Sequence, residues 1–173
     1  MVLSFLQLRM TSTASSAPPE LVPDDVRFRA EMLADVLRSG GAVTLRVFGG
    51  SMWPWLRSGD AISVRREDAA RIHRGEVVLF AREGRLFAHR VIRKFARDGR
   101  AVLITKGDAL PRADAPLEAA ELLGRVFRVR RAGREFALDS PQRRALGRAA
   151  ALVTHSSRFW YPLARAVKRL LPP

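Results

Sequence analysis

One short loop of this sequence carries a serine in a setting that suits nucleophilic chemistry. Ser51 follows Gly49 and Gly50, and it is followed by Met52 and, two residues further on, by Pro54. Glycine lets the backbone turn tightly and lets a second chain approach closely, while proline stiffens the loop. Gly-Gly-Ser is also common in ordinary loops, so this segment alone allows either a nucleophile or a structural turn.

A serine hydroxyl needs a base to accept its proton, and the sequence offers three histidines. His73 lies between arginines and His155 lies in the basic C-terminal segment, and both are expected to be solvated surface residues. His89 differs because it lies in a strand-like run, on the face shared with Phe87 and Val91. A histidine there is either a buried core residue or a base, and its position alone does not decide between them.

The elements that would position these residues are mostly short strands. Runs with strand character are predicted at 43–48, 61–65, 77–81, 86–93, 101–105 and 126–131. Glycine turns separate them, and Asp98-Gly99 is a strong hairpin signal. Many short strands with little helix between them predict a mainly β fold, a compact and mostly antiparallel barrel or sandwich.

Helical periodicity flanks the β region on both sides. Apolar residues recur at helical spacing between Asp24 and Gly40, which predicts a short N-terminal helix. After Asp139, Ser140 can cap a second helix with Pro141 at its first position, and Leu146, Ala149, Ala150 and Val153 would form its apolar face. We therefore expect a flexible lead-in at 1–23, a β domain with its helix at 24–139 and a basic amphipathic helical tail at 140–173.

The charge of the chain is strongly positive. The 31 Lys and Arg residues against 17 Asp and Glu give a net charge of +14, which predicts attraction to anionic lipid, nucleic acid or acidic protein. The sequence has no cysteine, and we expect neither a metal nor a cofactor. No apolar run approaches about 18 residues, so we expect no transmembrane helix and a cytoplasmic or peripheral membrane location.

The order of the short motifs resembles a known family. The motifs are Ser51-Met52-x-Pro54, Gly59-Asp60, Gly75-Glu76-Val77-Val78-Leu79-Phe80, His89-Arg90-Val91-Ile92, Thr105-Lys106-Gly107-Asp108 and Gly124-Arg125-Val126. Six motifs in this order resemble the type I signal peptidases, within the superfamily of LexA-like serine peptidases. The sequence is most similar to the histidine-using branch found in the endoplasmic reticulum, archaea and sporulating bacteria, and the matching stretch runs from about Val43 to Val129.

The resemblance implies a serine endopeptidase on a signal-peptidase-like β-barrel or sandwich. The family's nucleophile falls on Ser51, and its general base falls on His89, where the usual bacterial enzymes have lysine. The acidic residue that completes the site in this branch falls on Asp114, where a carboxylate would orient the imidazole. Either Asp114 or Asp108 could be the carboxylate that orients the imidazole. The supporting residues are Asp108, Met52 and Gly50.

The resemblance also implies a substrate class. The substrate would be an extended leader or signal-like peptide, cut after small residues and bound by strand addition to Val43–Phe48 and to the strand near Val77–Phe80. The backbone N–H of Ser51 is the expected oxyanion donor. Gly49 lacks the hydroxyl that several relatives carry two residues before the nucleophile.

The expected partners are a peptide or preprotein and, through the tail Ser140–Pro173, an anionic membrane surface. Two other interpretations stay open. A LexA-like self-cleaving regulator would need a lysine on the His89 strand and a DNA-reading domain, and the sequence shows neither. A non-catalytic basic module could bind a membrane surface or nucleic acid, although no strand pattern of alternating arginine and aromatic residues indicates base stacking. Nucleic acid is therefore not an expected partner.

Overall fold

The computed structural model describes residues 23–138 and 140–155. The elements in chain order are α1 (Pro23–Arg38), β1 (Ala42–Arg46), β2 (Ala61–Arg65), β3 (Val77–Arg82), β4 (Arg85–Arg97), β5 (Arg100–Lys106), β6 (Leu122–Arg131), β7 (Arg134–Ala137) and α2 (Pro141–His155). The predicted mainly β fold is confirmed. The lead-in up to residue 22 and the tail beyond residue 155 lie outside the described residues.

The described strands form one antiparallel sheet. Their order is β1-β2-β6-β3-β4-β5, and β7 pairs with β6, so β1 and β5 lie at the two ends. The turns Glu83-Gly84 and Asp98-Gly99 have positive φ at both residues, 51° and 69° in the first and 50° and 73° in the second. Two central residues with positive φ are typical of tight hairpins, which confirms the hairpin predicted at Asp98-Gly99.

The hairpin between β6 and β7 was not predicted. Its turn also has positive φ at both residues, 46° at Ala132 and 77° at Gly133. Alanine rarely adopts this conformation, whereas asparagine or aspartate before glycine signals it clearly. The sequence therefore lacks the usual signal for this turn.

Apolar clusters lie on both faces of the sheet. Val77 and Leu79 of β3 belong to one cluster, and Val78 and Phe80 belong to the other. A strand that is buried on both faces has a continuous apolar sequence rather than an alternating one, as residues 77–80 do. On the first face the core is completed by α1, whose Leu37 is fully buried.

The central position of β3 corrects one prediction. Residues near Val77–Phe80 were expected to offer an edge to the substrate. Instead β3 pairs with β4 along one side and with β6 along the other. Its backbone groups are already used in the sheet, so β3 has no edge for strand addition.

The first part of the predicted tail, α2, packs against the sheet through two glycines. A Cβ atom on Gly147 would lie 2.7 Å from the carbonyl oxygen of Gly75, and a Cβ atom on Gly75 would lie 2.6 Å from the amide nitrogen of Arg148. Only glycine permits such a close backbone approach.

Within the described ranges, no helix is both long and apolar enough to cross a membrane.

The buried side of α2 agrees only in part with the predicted one. Leu146 and Ala149 were expected on the apolar face, but both are exposed. Ala150 is buried as predicted, together with Gly147 and Ala151, and the side chain of Val153 lies outside the described part of the structure. The helix turns its small residues to the sheet because close packing at Gly75 leaves no room for leucine.

Candidate active site

The loop that carries Ser51 connects β1 to β2 and is closed at its base by Asp60. The Val47 N–H donates to the Asp60 carbonyl at 2.7 Å, and the buried Asp60 carboxylate accepts two hydrogen bonds from Arg131, at 2.8 and 2.6 Å. This hydrogen-bonded pair raises the pKa of Arg131. Met52 is buried in the first apolar cluster. Ser51 is thereby held between a polar anchor and an apolar one.

A second contact fixes the backbone of Ser51 itself. Its carbonyl oxygen accepts a hydrogen bond from the Ala109 N–H at 2.8 Å. A Cβ atom on Gly107 would lie 2.7 Å from the same oxygen, so the turn can approach only because residue 107 is glycine. The loop that carries Ser51 is therefore attached to the turn that follows β5.

The imidazole of His89 lies beside the Ser51 hydroxyl. His89 is buried on β4, and its Nε2 atom lies 3.3 Å from Ser51 Oγ. The rings of Phe80 and Phe87 pack around it, with centroids 5.9 and 5.8 Å from the imidazole centroid. The aromatic rings hold the imidazole in place and limit its contact with water.

The other side of the imidazole contacts Asp114. His89 Nδ1 lies 2.7 Å from Asp114 Oδ2, and Thr105 Oγ1 donates to the same oxygen at 2.7 Å. The Asp114 N–H also donates to the Thr105 carbonyl at 2.9 Å. An ionised carboxylate accepts a hydrogen bond from Nδ1–H, which leaves Nε2 as an acceptor that faces the hydroxyl. This arrangement can withdraw a proton from Ser51.

Asp108 lies in a different environment. It forms a buried, two-pronged ion pair with Arg90, with Nε–Oδ1 and Nη2–Oδ2 distances of 2.8 and 2.7 Å. Arg90 also donates to the Gly75 carbonyl at 2.9 Å. The neighbouring Lys106 is buried, and burial lowers its pKa against the opposing attraction of the Asp108 carboxylate. Asp108 thus supports the turn beneath Ser51, while Asp114 contacts the imidazole.

The loop that carries Asp114 is braced by Arg82 at the end of β3. Its guanidinium donates to the carbonyls of Ala115 and Pro116 at 3.3 and 3.0 Å, and to both carboxylate oxygens of Glu121 at 2.6 and 2.7 Å. The hydrogen-bonded pair lowers the pKa of Glu121 and raises that of Arg82. One side chain thus joins the middle of the loop to its end before β6.

A small recess of about 10 Å³ opens beside Ser51. The residues that line it are Val47, Phe48, Gly49, Ser51, Met52, Leu56, Phe87, Ala88 and His89. A larger cavity of about 270 Å³ lies between Trp55, Phe136 and Gly147. Neither Ser51 nor His89 lines that cavity, so its size does not make it the candidate site.

The structure therefore joins Ser51, His89 and Asp114 in one chain of contacts. The other predicted residues are close by in supporting positions: Gly50 accepts a hydrogen bond from the Trp53 N–H at 3.2 Å, Met52 is buried, and Asp108 pairs with Arg90. Neither Thr105 nor Arg82 was predicted to have a role at the site. Two signals pointed to Thr105, its hydroxyl at the end of the apolar run 102–104 and its place in the motif Thr105-Lys106-Gly107-Asp108, whereas nothing in the sequence indicated the contacts of Arg82.

A family model described as Peptidase S24-like matches residues 6–127, which include Ser51, His89 and Asp114. The match covers more than half of the chain. The chain belongs to the Peptidase S24-like family. Membership in the Peptidase S24-like family places the chain in the superfamily of LexA-like and signal-peptidase-like serine peptidases, as the motifs predicted. The histidine-using branch stays a prediction.

The Peptidase S24-like match indicates a peptidase or a LexA-like self-cleaving regulator. No curated protein and no solved structure matches the chain.

Proposed function

We propose that this Peptidase S24-like protein is a serine endopeptidase that cuts an extended peptide after small residues. Ser51 is the nucleophile, His89 is the general base and Asp114 orients the imidazole. The observation that carries the proposal is the continuous contact from Ser51 Oγ to His89 Nε2 and from His89 Nδ1 to Asp114, at 3.3 and 2.7 Å. A nucleophile, a base and an orienting group in this order form a catalytic triad.

The proposed reaction follows from these contacts. Ser51 Oγ bonds to the scissile carbonyl carbon while His89 Nε2 takes the hydroxyl proton, and the Ser51 N–H donates to the resulting oxyanion. When the carbonyl re-forms, the C–N bond breaks and the imidazolium gives its proton to the leaving amine. Water then attacks the acyl ester with His89 as base, and the proton returns to Ser51. The 3.3 Å separation is compatible with this role because such contacts often shorten when substrate binds.

The surroundings of Ser51 support an extended substrate with a small side chain. The outer edge of β1 lies at one end of the sheet. Residues 85–89 of β4 pair with β3 on one side, but β5 pairs with β4 only from Arg90 onward, so the other side of residues 85–89 is a second edge that β5 does not cover. Residues 47–49, which follow β1, and residues 87–89 of β4 both line the recess. A peptide strand between them could donate and accept backbone hydrogen bonds. The recess itself has room for little more than one water molecule, which favours a small residue.

The peptidase is tested by comparing the wild type with the Ser51→Ala and His89→Ala variants. The substrate is a peptide with alanine before the scissile bond, and the control peptide has tryptophan there. We expect the wild type alone to cut the alanine peptide, and each variant to lose about 10⁴-fold or more in rate. Undiminished cleavage by Ser51→Ala would show that another group attacks the peptide.

The Peptidase S24-like match favours a second candidate, a LexA-like regulator that cleaves its own chain. Intact-mass measurement of the purified chain over time separates the two candidates. An intramolecular reaction would give a shortened product at a rate independent of protein concentration, and Ser51→Ala would stay uncut. A wild-type chain that stays intact while it cuts the added peptide would exclude self-cleavage.

A further inference from the structure

The outward surface of the β4–β5 hairpin combines arginine with apolar side chains. Cross-strand pairing places Arg93 opposite Ile104, Phe95 opposite Val102 and Arg97 opposite Arg100. Paired residues of antiparallel strands share one face of the sheet. The three arginines are exposed, and the three apolar residues are half-buried. We name this set of six residues the hairpin face.

The opposite side of the hairpin packs against the rest of the molecule. Leu103 is buried there, and its cross-strand partner Lys94 donates from Nζ to the carbonyls of Ala70 and Ile72, at 2.6 and 2.8 Å. These contacts fix the orientation of the ribbon. The hairpin face must therefore point away from the core, and its exposed apolar atoms are not covered by another part of the described chain.

The charge of the hairpin face is positive. The guanidiniums of Arg93 and Arg97 lie 5.4 and 5.8 Å from the Phe95 ring centroid, which are cation–π distances. Within residues 23–138 and 140–155, neither they nor Arg100 forms an ion pair with a carboxylate. The face thus presents three positive charges around a partly exposed apolar strip.

This pattern corrects a sequence expectation. No strand was predicted to alternate arginine with an aromatic residue, because the predicted strand ended at Arg93. The observed β4 continues to Arg97 and contains the alternation Arg93, Phe95, Arg97.

We propose that the hairpin face docks the protein on an anionic membrane surface. Arginines at a bilayer surface attract anionic headgroups, and apolar side chains between them can enter the boundary with the acyl chains. Nucleic acid fits less well. Base stacking needs an accessible aromatic face, but two guanidiniums already occupy Phe95, and the aliphatic side chains of Val102 and Ile104 cannot stack on bases.

The tip of the hairpin, with Arg97 and Arg100, lies far from the candidate active site, whereas Arg93 and Ile104 lie at the end of the hairpin face nearer to it. Residues 89 and 97 are eight positions apart on β4, which corresponds to about 27 Å of extended strand. Docking through the turn would therefore leave Ser51 and His89 accessible. The proposal does not depend on peptidase activity, and a catalytically inactive chain should bind equally well.

The test uses flotation of the full-length protein with vesicles of phosphatidylcholine alone or with about one third phosphatidylglycerol. The first variant carries Arg93→Gln, Arg97→Gln and Arg100→Gln. The matched control carries Arg46→Gln, Arg66→Gln and Arg130→Gln, three exposed arginines outside the hairpin. At about fivefold per arginine near the surface, we expect the hairpin variant to lose about a hundredfold in partitioning to anionic vesicles and the control to lose much less. Equal losses in the two variants would overturn the proposal.

A second measurement does not rely on a loss of binding. Because the chain contains no cysteine, Val102→Cys and Thr44→Cys each give a single site for an environment-sensitive dye. We expect anionic vesicles to shift the emission of the dye at position 102 to the blue and to leave that at position 44 unchanged. Duplex and single-stranded DNA form the competing arm. Arginine-dependent DNA binding without a dye shift on vesicles would replace the membrane by nucleic acid as the partner.

Discussion

At the scale of single residues, two aspartates six positions apart have different partners. Asp114 contacts His89 Nδ1 and the Thr105 hydroxyl through one carboxylate oxygen. Asp108 forms two hydrogen bonds with the buried guanidinium of Arg90. The contact of Asp114 orients the imidazole, whereas the contact of Asp108 stabilises the folded structure. Substitution of each aspartate by asparagine should therefore have a different effect.

We expect Asp114→Asn to lower the rate of peptide cleavage by about 10⁴-fold with little change in stability, because the amide would favour the wrong imidazole tautomer. Asp108→Asn should instead lower the free energy of unfolding by about 3–5 kcal/mol, since it leaves Arg90 buried with an uncompensated charge. Denaturant unfolding and single-turnover cleavage measure the two effects. The opposite assignment of losses would mean that Asp108 is the orienting carboxylate.

The sequence predicted these residues with unequal precision. Ser51 and His89 were selected through the order of the family motifs, because the local features of each residue allowed a structural role as well. The choice between Asp108 and Asp114 could not be made, because it depends on how the backbone after β5 folds back toward Thr105. That path is determined by contacts such as the hydrogen bond from Ala109 to Ser51, which joins residues distant in sequence.

At the scale of elements, the loop between β5 and β6 depends on a side chain from β3. Arg82 joins the carbonyls of Ala115 and Pro116 to the carboxylate of Glu121. Asp114 directly precedes the braced segment. A change in the ion pair should therefore affect the stability of the loop and, through Asp114, the alignment of His89.

The hydrogen bond from Arg82 lowers the pKa of Glu121. A carboxylate with a lowered pKa stabilises the fold above its ordinary titration range, and this contribution is lost as the pH falls through the lowered value. We expect Glu121→Gln to cost about 1 kcal/mol at pH 7 and to cost progressively less below about pH 4. Urea unfolding of both proteins at pH 7, 5 and 3 tests this. A difference that stays constant with pH would contradict the role of the ionised pair.

The extent of the strands was harder to predict than their presence. β2 was predicted with its observed bounds, because Ala61–Arg65 alternates cleanly and is followed by charged residues. β4 was predicted to end at Arg93, since the next residue, Lys94, interrupts the apolar pattern. It continues to Arg97 because pairing with β5 satisfies its backbone and leaves the arginines in water. Hairpin pairing thus outweighed local composition.

At the scale of the whole molecule, α2 is attached to the sheet at the Gly75–Gly147 contact, beside the buried Arg90. We expect Gly147→Val to detach the helix and lower stability by about 1–3 kcal/mol beyond the control Ala149→Val, which places the same side chain at an exposed position of the helix. Hydrogen exchange of the α2 amides measures the detachment. Equal exchange rates in the two variants would show that the glycine contact does not hold the helix.

The same glycine contact has a consequence for the evolution of the chain. Because the two backbones touch, a side chain gained at either position must be matched by a tilt of the helix or by its loss. Among homologues, positions 75 and 147 should therefore vary jointly. Lineages that abandon this pair should have a side chain at position 90 that is more exposed to water, since the helix that shields it would no longer be seated there.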